Sequence, residues 1–393
     1  MTITDIDVAK ARAQTPGCER VLHFNNAGAG LLSRAVIETL TEHLRLESLT
    51  GSYEAQAAKA DALQNVYASF AALLNCRADE IALTDGSTQA WHRAFHAVPL
   101  ERGDRVLTAS NEYNSNWLSL RRTCDRIGCS LEVIPNDVHG QLDVRALTNM
   151  LDDRVKLLAI THIATSNGMV NPVEAVGAAL RGSNAIYLLD ACQSVGQMPL
   201  DVDRIGCDLL TGAGRKFLRG PRGTGFMYVR RSVLDRIEPA VIDIHAARWT
   251  GRDTYAWRAD ARRFEQMEFN VADRLGLGAA VDHALGWGLD AIEARILGLS
   301  TLLRKGLSEL PGVEVRDQGT RPSGINTFTL AGRKAEEVML KLRAKEINCS
   351  VTRIDWAWLD LEPRGITEMI RASLHYYNTE EEVERFVQAI ARA

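Results

Sequence analysis

Short, mainly apolar runs recur between about residues 80 and 230, separated by stretches with the spacing of amphipathic helices. The runs are residues 81–84, 105–109, 130–134, 156–160, 185–189, 207–210 and 225–229. Because apolar side chains occupy both faces of these runs, we expect buried strands with helices packed on both sides of the sheet. The alternation predicts βαβ crossovers and a mainly parallel sheet, with functional loops at the carboxyl ends of its strands.

The pattern changes after Phe264, where apolar positions follow a helical period from about 271 to 310. Pro311 and Gly312 are expected to end this single long helix. Strand-like runs follow at residues 313–315, 325–330, 348–352 and 369–374, together with helical patterns over 335–345 and from Thr379 onward. This part of the chain predicts a smaller α/β domain, completed by the N-terminal segment.

The composition narrows the class of protein. With 393 residues, 46% of them hydrophobic, the chain can form two domains with a large core. The net charge is −4 and no basic block is present, so nucleic acid is not expected as a partner. Without an apolar stretch of signal-peptide or membrane-span length, we expect no membrane association and a cytoplasmic location. The seven cysteines lack CxxC pairs and neighbouring histidine clusters, so neither disulfides nor a metal site are expected.

Lys216 lies between two glycine-rich turns within residues 211–229, shortly before an apolar run. Glycines let a backbone approach a ligand closely, and a lysine held in a cleft can lose its proton and attack an aldehyde. Pyridoxal 5'-phosphate (PLP) becomes attached to proteins by this chemistry. Taken alone, the motif more often marks a surface lysine in a glycine loop, and the other segments decide against that interpretation.

Two further segments carry polar groups directly after apolar runs. Asp190 ends the run 185–189, and a buried carboxylate there needs a cationic partner, which a protonated pyridine nitrogen would supply; Gln193 could then hydrogen-bond the ring oxygen. Ser87 and Thr88 follow the run 81–84 at the start of a helical pattern, where hydroxyls and backbone amides form an anion site. The alternative for both segments is simple helix capping.

These three segments, in this order and spacing, resemble the PLP-dependent class V aminotransferase family, which includes cysteine desulfurases, selenocysteine lyases, kynureninases, hercynylcysteine sulfoxide lyases and isopenicillin N epimerase-like enzymes. The resemblance extends from residues 22–32 through 161–173 to 369–386. It implies the PLP-dependent transferase fold type I, an α/β fold with a mainly parallel seven-stranded sheet and a smaller C-terminal α/β domain. The expected domains are residues 15–265 for PLP binding, and 1–14 with 266–393 for the small domain. It also implies a homodimer.

The resemblance implies roles for the residues already named. Lys216 would be the catalytic lysine that forms a Schiff base with PLP, and Asp190 the partner of the pyridine nitrogen. Gln193 would contact the ring oxygen, while Ser87 and Thr88 would bind the phosphate.

Three more positions match cofactor-binding positions of the family. Tyr113 falls where many relatives place a histidine stacked over the ring, and a phenol can also stack but does not titrate near neutral pH. Thr165 falls where relatives often have an asparagine near the ring oxygen. Arg215, beside Lys216, could bind the phosphate or a substrate anion.

The substrate is expected to be a small amino acid derivative. Arg371 matches the family arginine that pairs with the substrate α-carboxylate, a role suited to a planar bidentate donor. Asn25 and Asn26 lie in the N-terminal turn that contributes to the active site in relatives. We expect these three residues to bind substrate.

One departure from the family narrows the reaction. Desulfurases carry a nucleophilic cysteine on a mobile loop before the carboxylate-binding arginine, but residues 353–369 contain no cysteine. Cys349 lies 22 residues before Arg371 within a strand-like run, where a buried structural cysteine is the simpler interpretation. A persulfide-forming desulfurase is therefore disfavoured. Trp249, Trp257, Trp356 and Trp358 fall in loops near the expected mouth of the site, where they either contact a large substituent or pack.

We therefore predict a PLP-dependent C–S β-lyase that acts on a cysteine S-conjugate or its sulfoxide and releases pyruvate and ammonia. An amino-acid epimerase or aminotransferase of the same family is the alternative. A regulator or scaffold is disfavoured because Lys216, Asp190, Gln193 and Arg371 are all retained. A dehydrogenase is disfavoured because no GxGxxG sequence opens the first βα unit.

Overall fold

The computed structural model describes residues 2–393. Its strands are β1 (Leu22–His23), β2 (Ile81–Thr84), β3 (Arg105–Thr108), β4 (Ser130–Val133), β5 (Val155–Thr161), β6 (Ile186–Asp190), β7 (Leu209–Ala213), β8 (Gly225–Val229), β9 (Ala247–Gly251), β10 (Thr254–Trp257), β11 (Val313–Val315), β12 (Ile325–Leu330), β13 (Ile347–Asn348), β14 (Ser350–Arg353) and β15 (Glu368–Ser373).

Helices alternate with these strands along the chain. They are α1 (Asp5–Ala13), α2 (Arg34–Thr50), α3 (Ser52–Ala58), α4 (Ala60–Leu74), α5 (Ser87–His96), α6 (Asn114–Ile127), α7 (Val144–Met150), α8 (Val173–Ala179), α9 (Val202–Ile205), α10 (Val271–Trp287), α11 (Leu289–Ser308), α12 (Ala335–Arg343), α13 (Trp358–Leu361) and α14 (Glu380–Ala391). None of the helices within residues 2–393 combines the length and apolar character needed to cross a bilayer.

Seven strands form the main sheet, in the order β2-β8-β7-β6-β5-β3-β4. Strand β8 runs antiparallel to both of its neighbours, and the other neighbouring pairs are parallel. Every residue of β2, β6, β7 and β8 is buried, as the apolar runs predict. The predicted mainly parallel seven-stranded sheet is confirmed.

The predicted single helix over 271–310 is wrong. Gly288 adopts φ 81° and ψ 123° and separates α10 from α11. Such a positive φ suits glycine, which has no Cβ to clash with the backbone. Helix α10 packs on α2 and α4, whereas α11 packs on α14 and β11. The break at Gly288 therefore lets α10 pack against helices α2 and α4 while α11 packs against the C-terminal part of the chain.

The C-terminal part contains a four-stranded antiparallel sheet, in the order β11-β12-β15-β14. N-terminal strand β1 pairs in parallel with β13, and Leu22 and Phe24 belong to the apolar core of this part. Arg12 of α1 donates to the Glu382 carboxylate of α14 over 2.7 Å. The N-terminal segment thus contacts the C-terminal part, and the domain boundaries at 15 and 265 remain predictions.

Candidate active site

Lys216 lies in the loop between β7 and β8 and is buried, with 6% of its surface exposed. Burial lowers the pKa of its ammonium group, and the nearby Arg215 and Arg371 lower it further, while Cys192 and Asp190 act in the opposite direction. An amine in this environment loses its proton more readily than an exposed lysine does. This is the condition required of an amine that attacks an aldehyde or accepts a proton.

Asp190 ends β6 and is 4% exposed. Its Oδ1 accepts a hydrogen bond from the backbone amide of Cys192 at 2.9 Å, and its Oδ2 accepts one from Nδ2 of Asn116 at 2.8 Å. Among the residues that the structure describes, no basic side chain forms an ion pair with this carboxylate. A buried carboxylate with neutral donors only can still take a cationic partner from a ligand.

Ser87 and Thr88 form the first turn of α5, directly after β2. Gly86 precedes them with φ 123°, and neither residue is tied up in a side-chain cap of this helix. Strand β8 passes close behind, because a Cβ added to Gly225 would lie 2.6 Å from the amide nitrogen of Ser87. The tight packing leaves the helix start and its free amides at the edge of the cavity, a geometry that favours anions.

Gln193 lies on the same loop as Asp190 and is almost fully buried. Its Nε2 donates to the main-chain oxygen of Ala27 at 3.1 Å and to the hydroxyl of Thr165 at 2.9 Å. Its Oε1 is buried without a hydrogen-bond partner in the protein. An unpaired buried oxygen is costly, so this atom marks a position where a polar ligand group would be favourable.

Two adjoining cavities connect these residues. The smaller, of about 50 Å³, is lined by Ser87, Thr88, Tyr113, Asn116, Thr161, Thr165, Asp190, Cys192, Gln193, Arg215 and Lys216. The larger, of about 230 Å³, is lined by Ala27, Gly28, Asn111, Glu112, Tyr113, Asn114, Thr165, Ser166, Arg215, Lys216, Thr352, Trp356 and Arg371. Four residues line both cavities: Tyr113, Thr165, Arg215 and Lys216. The structure thus brings together nine of the predicted site residues.

Arg371 projects from β15 into the larger cavity and is 6% exposed. Its Nη1 donates to the main-chain oxygen of Thr165 at 2.9 Å, while its Nε is buried without a partner. Burial lowers the pKa of the guanidinium to about 10, so the group stays protonated at neutral pH. Within residues 2–393 no carboxylate pairs with it, which leaves a buried cation available to an anionic ligand.

Tyr113 immediately precedes α6 and is 36% exposed. The Nζ atom of Lys216 lies 5.9 Å from the centroid of its ring. The ring therefore stands beside the lysine at the junction of the two cavities. Its role at the cofactor ring remains a prediction.

The structure does not bring Asn26 to either cavity, and substrate binding by Asn26 and Asn25 remains a prediction. Its Nδ2 donates to the main-chain oxygen of Ser373 at 2.8 Å, and its Oδ1 accepts from the hydroxyl of Tyr377. The side chain is fully buried in these contacts and lines neither cavity. Asn25 lies behind Gly28, whose added Cβ would be 2.8 Å from Oδ1 of Asn25. The N-terminal turn thus reaches the cavity through Gly28 and its neighbour Ala27.

Several lining residues were not among the predicted site residues, and three of them bear on the chemistry of the site: Glu112, Asn116 and Trp356. Glu112 lies two residues before α6, and Asn116 lies in the first turn of that helix. Trp356 ends a short 3₁₀ helix, Ile354–Trp356, and was named only as one of four candidate tryptophans. Of these four, Trp356 alone lines the larger cavity in the part of the chain described.

Comparisons with known proteins show the family of the chain. Residues 22–386 match the family described as Aminotransferase class-V. A probable cysteine desulfurase of Methanothermobacter thermautotrophicus is 28% identical over 355 residues, which cover 89% of this chain and 88% of that protein. The apo structure of cysteine desulfurase from Thermococcus onnurineus NA1 has a TM-score of 0.90 at 26% identity, covering 100% of this chain and 99% of that one.

A more distant likeness is to a cystine C-S lyase named C-DES, solved in complex with its reaction product cysteine persulfide. The TM-score is 0.86 at 23% identity, with 96% of this chain and 99% of that chain covered. At this identity the likeness shows the shared fold. The match over residues 22–386 shows more, namely that the chain belongs to the aminotransferase class-V family. It is a PLP-dependent enzyme with the type I fold.

The residues present fit PLP. One buried lysine of lowered pKa is surrounded by three groups. They are a buried carboxylate without a cationic partner, an amide oxygen without a hydrogen-bond donor and the free N-terminus of a helix. These groups match the pyridine nitrogen, the ring oxygen, the phosphate and the aldehyde of the cofactor in chemical type. The individual roles of Asp190, Gln193, Ser87, Thr88 and Lys216 remain predictions.

Proposed function

We propose that the chain is a PLP-dependent carbon–sulfur lyase that breaks the Cβ–S bond of a cysteine S-conjugate or its sulfoxide. With one water consumed, the products are a thiol or sulfenic acid, pyruvate and ammonia. The observation that carries this proposal is the cavity of Lys216 and Arg371, whose lining residues within 2–393 include no cysteine. The reaction needs a base and a carboxylate-binding group and no enzyme thiol.

Arg371 is the proposed site for the substrate α-carboxylate. Its guanidinium is buried and protonated, and one nitrogen is already fixed by the main-chain oxygen of Thr165. Its Nε has no hydrogen-bond partner, and no carboxylate within residues 2–393 pairs with the guanidinium. A substrate carboxylate would therefore form charge-assisted hydrogen bonds without displacing a protein ion pair. This contact orients Cα of the substrate relative to Lys216, which lines the same cavity.

Lys216 is the proposed base. Bound PLP supplies an electron sink that stabilises negative charge at the substrate Cα. The Nζ atom of Lys216, whose pKa is lowered by burial, accepts the proton from Cα. The Cβ–S bonding electrons then leave with sulfur, and the departing group takes up a proton. The elimination therefore needs a leaving group on Cβ but no enzyme nucleophile that forms a bond to sulfur.

The sulfur substituent would extend towards Trp356. This residue lies on a segment fixed by buried contacts, because the carboxylate of Asp360 accepts from Nδ2 of Asn167 at 3.0 Å and from Nη1 of Arg364 at 3.1 Å. The segment occupies the sequence position at which desulfurases are expected to carry a mobile cysteine loop. A fixed aromatic wall at the cavity suits a substrate with a substituent larger than a hydrogen atom on sulfur.

The names of the relatives supply a second candidate, a cysteine desulfurase. The cysteines that come nearest to the site do not favour it. Cys192, which lines the smaller cavity, and Cys349, beside β14, are both buried, and burial raises the pKa of each thiol to about 12. A thiol in that state is a poor nucleophile at neutral pH. Epimerase and aminotransferase activities remain alternatives within the family.

Product analysis separates these functions. The holoenzyme is incubated with L-cysteine, S-alkyl and S-aryl cysteines and their sulfoxides, and pyruvate, alanine, keto acids and the optical purity of the remaining substrate are measured. Pyruvate and ammonia in equal amounts from a conjugate support the proposal. Alanine from cysteine identifies a desulfurase, because transfer of a sulfur atom leaves the bonding electrons on Cβ, which then takes a proton. Either racemised substrate or a keto acid that retains sulfur would contradict the lyase assignment.

A further inference from the structure

A second buried carboxylate, Glu112, lines the larger cavity, which adjoins the smaller cavity lined by Asp190, and plays no part in the proposed elimination. It is 6% exposed and directly precedes Tyr113. Three donors converge on its Oε1: the hydroxyl of Thr161 at 2.6 Å, Nδ2 of Asn116 at 2.9 Å and the backbone amide of Tyr113 at 2.8 Å. Its other oxygen, Oε2, is buried and has no hydrogen-bond partner in the protein.

The amide of Asn116 connects the two carboxylates. One nitrogen, Nδ2, donates to Oε1 of Glu112 at 2.9 Å and to Oδ2 of Asp190 at 2.8 Å. Two carboxylates bridged by one amide within a buried region repel each other when both are ionised. The unpaired Oε2 is the atom at which a proton would relieve this repulsion without disturbing the three hydrogen bonds to Oε1.

The surroundings of Glu112 contain no compensating cation. Asp190 of β6 is the charged group that faces it through Asn116, while Thr161 of β5 and Tyr113 contribute neutral donors. Lys216, Arg215 and Arg371 line the larger cavity with Glu112, but within the described chain none of them forms an ion pair with it. Burial, and then the charge of Asp190, raise the pKa of Glu112 from the ordinary 4.5 to about 7.

We propose that Glu112 is a positioning residue of the cofactor site: with Asn116 it holds the Asp190 carboxylate in place, and it carries a proton below neutral pH so that Asp190 alone presents a negative charge there. The cofactor end of the site then holds one buried charge in place of two. This arrangement is independent of the reaction performed at the other end of the cavity, so its test is separate from that of the lyase.

The pH dependence of folding stability tests the protonation. A carboxyl group whose pKa is higher in the folded than in the unfolded state stabilises the fold fully below the unfolded value and loses this contribution as pH rises through the folded value. Wild-type holoenzyme should therefore lose stability relative to Glu112→Gln, whose amide stays neutral, as pH rises from about 5 to 8. We expect the difference in Tm to change by roughly 3 °C over this interval in favour of the variant.

Glu265→Gln is the matched control. Glu265 is equally buried but forms an ion pair with Arg274 at 2.8 Å, and its pKa is lowered. This substitution should lower Tm throughout the same pH interval. A constant difference in Tm between wild type and Glu112→Gln from pH 5 to 8 would overturn the proposal, because a merely structural acceptor has no such pH profile.

Two further variants keep the proposal testable if Glu112→Gln does not fold. Thr161→Val removes a donor that favours the ionised form, so the pH at which the carboxylic-acid C=O band disappears from infrared spectra should move upward. Asn116→Ala should weaken binding of PLP added to the stripped protein by about tenfold, since Asp190 loses one of its two donors. An unchanged or lower transition pH in the first variant, or unchanged affinity in the second, would contradict the proposed positioning role.

Discussion

Arg371 and Gln193 are joined through a single residue, Thr165, whose main-chain oxygen accepts from Nη1 of Arg371 and whose hydroxyl accepts from Nε2 of Gln193, each at 2.9 Å. The proposed carboxylate-binding group and the amide beside the cofactor ring thus share one support. A shift of Thr165 would move both groups. The substrate end and the cofactor end of the cavity are therefore mechanically connected.

Replacing Lys216 with alanine should abolish the visible absorption band of the lysine-bound cofactor while the protein remains folded. The reason is that Lys216 is the only lysine lining either cavity in the described part of the chain. Absorbance spectra and circular dichroism of the purified protein provide the measurement. Lys345→Ala, at an exposed position, is the control and should keep the band. An unchanged band in the Lys216 variant would assign the cofactor to another residue.

Arg371→Ala should raise KM for amino-acid substrates far more than it changes kcat or cofactor affinity. Loss of a charge-assisted contact with a carboxylate costs about 2–4 kcal/mol, or roughly 30- to 900-fold in apparent affinity. Steady-state kinetics with the best substrate of the panel provide the values, with Arg343→Ala on the exposed face of α12 as control. Equal KM values in wild type and variant would place the carboxylate elsewhere.

Trp356→Ala should weaken binding of amino acids with bulky side chains selectively, because Trp356 lines the larger cavity. The spectral change on titration with phenylalanine and with alanine measures this without a leaving group. We expect the preference for phenylalanine to fall by about fivefold or more. Trp358→Ala is a close control two residues away, at a position that is more exposed and outside the lining. Equal effects of the two substitutions would show that Trp356 has no specific contact.

Asp360→Ala should lower stability by about 1–3 kcal/mol, because it leaves Asn167 and Arg364 without their buried acceptor. Asp355→Ala, in the same segment but exposed, should change stability little. Thermal unfolding of the holoenzymes compares them. If both variants unfolded at the wild-type temperature, the segment carrying Trp356 would not depend on the Asp360 contacts.

The strands of the main sheet could be predicted from sequence because they are short and mainly apolar, and all of them except the edge strand β4 are largely buried. Residues 81–84 and 225–229 match β2 and β8 at both ends. The β9–β10 hairpin was not predicted, since its residues are mostly exposed and show no apolar run. Gly288 gave no clear signal either, because a single glycine within a helical pattern is compatible with a continuous helix. Its positive φ depends on the packing of α10 and α11 on different layers.

The site was predictable where a residue type carries the chemistry and its segment resembles known relatives, as for Lys216, Asp190 and Arg371. Glu112 and Asn116 could not be assigned from sequence because the contact of Asn116 with Asp190, through which Glu112 is connected, joins positions 74 residues apart. No helical spacing connects the two residues, because Glu112 lies before the first residue of α6. Asn26 shows the converse: its sequence position suggests the cavity, whereas its amide contacts Ser373 and Tyr377.

The most direct measurement is the ratio of pyruvate to released thiol when the holoenzyme acts on a single S-aryl-L-cysteine, compared with alanine formed from L-cysteine under the same conditions. The proposed lyase gives equal amounts of pyruvate, ammonia and thiol, and a Cys192→Ser/Cys349→Ser variant that binds PLP gives the same ratio. Alanine as the main product from L-cysteine, with loss of turnover in that double variant, would contradict the assignment and identify sulfur transfer to an enzyme thiol.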